Sequence, residues 1–131
     1  MRLQDITGLL LDPGAPMPGS EMSDDEALEY ARRHFSMATF CLVRDWVWIE
    51  FDAPEALKAA LAQTRRQPSL IYAHTVIFDS DRRWDIGDFV RTSLLHEFSE
   101  GFRFKTLNSV YLLLGPGTRK LVPAEAVTSI Y

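Results

Sequence analysis

Hydrophobic residues recur along this chain first at helical spacing and then in alternation. In "SDDEALEYARRHF", residues 23–35, Ala27, Leu28, Ala31 and Phe35 fall on one stripe, the period of an amphipathic helix. Ser23 and Glu26 stand at the spacing of a capping box, and the early acids suit the positive helix end. His34 closes the segment as a cation near the last carbonyls. "FCLVRDWVWIEF", residues 40–51, alternates as a strand does. Cys41, Val43, Val47, Ile49 and Phe51 are predicted on one face, with Asp45 the exception among them, and Leu42, Arg44, Trp46, Trp48 and Glu50 on the other. Two tryptophans on the more polar face require cover from a helix, from arginine stems or from a partner.

"DAPEALKAALAQTRRQP" has Pro54 in a first turn, strong helix formers to Thr64 and Pro68 beyond the end. A helix over 53–64 follows, with Leu57, Ala60 and Leu61 as its buried stripe. After Pro68 the pattern turns to strands and turns. "SLIYAHTVIFDS" is a strand, "DRRW" a turn, "GDFVRTS" a strand, "FRFKTLNSVYLLLG" a hairpin about Leu107 and Asn108, and "GPGT" a turn into "RKLV". In the hairpin Phe102, Phe104, Val110, Leu112 and Leu114 form the expected core set, alternating with Arg103, Lys105, Ser109, Tyr111 and Leu113. The expected fold is α+β: two helices with a curled antiparallel sheet of five or six strands, able to close into a small open barrel. Antiparallel pairing is expected because every connection is short. Residues 1–22 read as an irregular segment with the Pro/Gly-rich loop "DPGAPMPGS" at 12–20.

The 131 residues, 47% hydrophobic and 24% charged, fit one domain with a single core. With 14 basic against 18 acidic residues and a formal charge of -4, non-specific phosphate-backbone binding lacks its usual drive. The apolar run Leu9 to Leu11 is too short for a signal-peptide core or a membrane span. One cysteine, Cys41, excludes an internal disulfide and fits a reducing compartment, so a cytoplasmic location is expected.

The runs "LIYAHTVIFDSDRRWDIGDFVRTS" and "GFRFKTLNSVYLLLGPGTRK", with the earlier "ARRHF" and "FCLVRDW", resemble a family of small uncharacterised bacterial proteins, a domain of unknown function. The resemblance spans residues 28–120. It implies a bacterial source, in chromosomal accessory or phage-derived DNA, and carries over no activity, cofactor or catalytic residue.

Reactive chemistry finds little support. Asp79, Asp81, Asp85 and Asp88 crowd one turn, but "DSDRRWDIGDFV" lacks the glycine and glutamate of a calcium loop, and Arg82 and Arg83 compete for the carboxylates. A solvated turn capped by Asp79 is the simpler reading. His34, His74 and His96 never stand at metal-ligand spacing. His74 is expected to face inward beside Tyr72 and Val76 as a hydrogen-bonded core residue. Cys41, in an apolar strand, reads as buried and inert. Ser93 and His96 lack the glycine-flanked elbow of a nucleophile, and "GPGTRK" lacks phosphate-loop spacing. No metal and no cofactor is expected.

What remains is "RWDIGDFVRTS", with Trp84 and Arg91 of the residue types that dominate binding hot spots. A structural role competes with that one: Arg91 paired with Asp88 or Asp45, and Trp84 closing the barrel end. Three functional expectations follow. The first is a non-enzymatic domain that binds another protein, compatible with homodimerisation and without a membrane. The second is a small enzyme or ligand binder with a pocket gathering His74, Asp88, Arg91, Thr92 and Tyr111. The third is a nucleic-acid module using Arg65, Arg66, Arg82, Arg83, Arg119 and Lys120, which the net charge disfavours.

Overall fold

The computed structural model describes residues 14–123. The Leu9–Leu11 run and the first part of the N-terminal loop lie outside them.

Helix α1, Asp24–His34, begins where the capping box predicts. Ser23 Oγ accepts from the Glu26 amide at 3.2 Å and Glu26 Oε1 accepts from the Ser23 amide at 3.0 Å. Its stripe buries Ala27 and Ala31 with Phe35 against Phe40, Leu42, Val110, Leu112 and Leu114, while Leu28 is half-buried.

The centre of the sheet is β2, Phe40–Asp52. One edge of β2 pairs antiparallel with β3, Ser69–Asp79. The other edge is shared in sequence by two strands, both parallel to it. With β1 at Ala15–Met17, β4 at Val90–Arg91, β5 at Glu97–Ser99, β6 at Arg103–Lys105, β7 at Val110–Leu113 and β8 at Gly117–Pro123, these two are β7, beside Phe40–Val43, and β8, beside Val47–Asp52. β4 adds to β3, β6 to β7, β5 to β6 and β1 to β8, all antiparallel.

The sheet is therefore mixed, a correction to the antiparallel expectation. Each short reversal is antiparallel, as predicted. However, the four reversals β2–β3, β3–β4, β5–β6 and β6–β7 return the chain to its starting direction, so the curl can meet β2 only in parallel. Between β4 and β5 the chain stays on β3 through Thr92 N to Ile71 O, 2.9 Å, and Leu95 N to Ser69 O, 2.8 Å. The result is a curled half-barrel.

The face assignment along β2 needs a second correction. Cys41 and Val43 share the interior with Trp46, Trp48, Ile71, Ala73, Phe104, Tyr111 and Leu113. Val47, Ile49 and Phe51 form a different cluster with Leu70, Leu94 and Val122. The alternation slips by one residue at Asp45, which takes φ 54 where β2 changes partner from β7 to β8. The tryptophans thus find their cover in the curl of the sheet itself. Trp48 meets Phe98 and Phe104 edge to face at 4.8 and 5.1 Å. Trp46 Nε1 donates to the Leu114 and Gly115 carbonyls, both at 3.2 Å.

Four further expectations change. Helix α2, Glu55–Gln63, forms where predicted but buries none of its residues. Leu57 and Leu61 are half-buried and Ala60 is exposed, because a short alanine-rich helix offers little surface to press on the sheet. In the hairpin the members of the predicted core set are buried, Phe102 only half, but on two faces: Phe104 lies opposite Tyr111 and faces the interior with it and Leu113, while Val110, Leu112 and Leu114 pack under α1. β7 is an inner strand covered by α1 on one face and by the curl on the other. Finally, the segment taken as irregular contains β1, whose Pro16 is tolerated because the strand lies at a sheet edge, while "GDFVRTS" keeps only Val90 and Arg91 as strand.

Candidate functional site

β3 ends on Asp79, and the next four residues turn so that Arg83 comes back over it. The Asp79 side chain is fully buried, at 0% exposure, against 31% for Arg83. Its Oδ2 accepts from the Arg83 amide at 2.7 Å and from Nε at 3.0 Å, and its Oδ1 accepts from Nη2 at 2.6 Å. A carboxylate without such partners would be costly to bury. The remaining arm of the fork, Nη1, donates to Ser109 Oγ at 2.7 Å, tying β3 to the β6–β7 turn.

The guanidinium is also stacked. Its carbon lies 4.3 Å from the Trp84 ring centroid and 5.8 Å from that of Tyr111, within cation–π range. Trp84 and Tyr111 are 6.4 Å apart. Trp84 is half-buried and packs on the interior cluster.

Electrostatics argue against reactivity here. Burial pushes the Cys41 thiol, paired across the strands with Asp79, up to about 12, and the Asp79 carboxylate adds to the rise. Burial likewise raises Tyr111, against the opposing pull of the Arg83 charge. Burial is the largest single influence on the Arg83 cation and works against it, but its hydrogen bonds to Asp79 together with the charge interactions with Tyr111, Asp79 and Cys41 hold it above its ordinary value. The thiol and phenol stay protonated and the carboxylate is occupied. Such a group can hold a shape and present a surface; it offers no base to a substrate.

The surface it presents is a cleft of about 500 Å³ lined by Phe78, Asp79, Arg82, Trp84, Asp85 and Ile86. Ile86 is 78% exposed at its rim. Arg82 takes φ 55, a conformation disfavoured for a non-glycine residue. Asp88 Oδ2 accepts from the Asp85 amide at 2.9 Å and sets the turn that displays Ile86.

Of the sequence-predicted binding residues, only Trp84 and Tyr111 come together here. His74 is exposed, which corrects its inward placement: it shares a face with Tyr72, ring centroids 6.2 Å apart, and with Phe89 at 6.4 Å. Val76 points instead into the interior with Ile71 and Ala73, because the alternation along β3 slips between Ala73 and Val76, across from Asp45 on β2. Arg91 is exposed opposite Tyr72. Thr92 is structural: buried, its Oγ1 accepts from the Ile71 amide at 3.0 Å and donates to the Ser93 carbonyl at 2.8 Å. His96 Nδ1 bonds the Arg65 carbonyl at 2.7 Å. Arg119 pairs with Glu50 at the surface and Arg83 with the buried Asp79, so the basic residues considered for nucleic acid are in part committed elsewhere.

The family model for a domain of unknown function, DUF6957, matches residues 18–129. The chain belongs to the DUF6957 family. No curated protein and no solved structure matches it. Among the described residues of this DUF6957 domain, no helix is long and apolar enough to cross a membrane, and no group of three or more His, Cys, Asp and Glu is placed to hold a metal ion. Sequence reasoning missed the Asp79–Arg83–Ser109 connection. The signal available was an aspartate and an arginine four residues apart across a turn.

Proposed function

We propose that this DUF6957 domain is a non-enzymatic binding module that docks another protein on the corner formed by Phe78, Arg82, Trp84 and Ile86. The observation that supports this reading is an aromatic ring fixed at the surface. Trp84 is held between the interior cluster and a guanidinium that a buried carboxylate keeps in place, and beside it Ile86 stands in solvent. Rigid aromatic and aliphatic anchors bind at small entropic cost. A cytoplasmic location belongs to the same reading and is supported by the buried, unpaired Cys41; a bacterial, accessory or phage-derived origin is supported by the resemblance alone.

Affinity capture from the source organism with mass spectrometry tests the reading, using the full chain and an Ile86→Asp variant. Ile86 supports little of the core, so the variant folds, and the captured protein is expected to disappear. Retention of the same partner by a folded Ile86→Asp variant overturns the proposal.

A further inference from the structure

We draw no further inference here: the strongest candidate, the side-chain cluster beside the end of α1 in which Arg103 and Lys105 of β6 lie over the Phe35 ring at 4.8 and 6.0 Å, carries nothing, because Glu97 stands opposite Lys105 across the β5–β6 pair, both cations reach solvent, and nothing in the structure shows what covers them.

Discussion

Arg83 closes on Asp79 through its amide, Nε and Nη2 at once, and so turns the end of β3 into a rigid corner. The same fork holds Ser109 on the far hairpin and supports the face of Trp84. One residue thus links the core carboxylate, the β6–β7 turn and the proposed contact surface.

Removing that link is expected to be expensive. Losing one partner of a buried pair costs roughly 3 to 5 kcal/mol, and the solvent at Arg83, 31% exposed, puts Arg83→Ala near the lower end. Arg83→Lys is expected to recover little, because an ammonium cannot reproduce the bidentate fork and the stacking. Urea denaturation measures both, and a loss below about 1 kcal/mol for Arg83→Ala would mean that the pair behaves as a surface one.

Gly117 meets Trp46 so closely that an added Cβ would lie 2.4 to 2.5 Å from three ring carbons, whereas at Gly87 nothing lies within 4 Å. Gly117→Ala is therefore expected to destabilise by about 1 to 3 kcal/mol through overpacking. Gly87→Ala carries only the strain of its φ of 91, about 1 kcal/mol. Thermal unfolding of the two variants compares them, and equal losses would contradict the close packing of Trp46.

The buried Cys41 thiol gives a pH dependence with a definite sign. Its folded value is raised to about 12 from an ordinary 9.0, so the folded state favours the protonated form. The resulting stability is fully present below pH 9 and is lost as pH rises from there toward 12. Stability is expected to fall above pH 9, less steeply in Cys41→Ala, with Tyr111 adding to the decline in both. Native protein at neutral pH is expected to resist iodoacetamide and to react once unfolded. Rapid labelling of the native state would place the thiol at the surface.

Much of the fold was legible in the residues. Ser23 and Glu26 mark the start of α1, and Thr106 to Ser109 form the turn centred on Leu107 and Asn108. Neither the switch of face at Asp45 nor the parallel meeting of β2 with β7 could be read locally, because both depend on how the sheet closes. The site was legible by type and less so by assembly: Trp84 and Tyr111 converge, while His74 and Arg91 lie beside Tyr72 on another face. Leu61 shows the same limit. Its spacing promised burial, but in its half-buried setting Leu61→Ala is expected to cost only about 1 kcal/mol by chemical denaturation, and a loss above about 3 kcal/mol would restore it to the core.

Site-specific photo-crosslinking in the source organism tests the central claim most directly. A photoreactive residue placed at Ile86, at the rim of the corner, is compared with one at Leu121, which is also exposed but lies on β8. A discrete heavier species from position 86 and none from position 121 is expected. No product at 86, or the same product from both positions, would contradict the assignment of this corner as the binding surface.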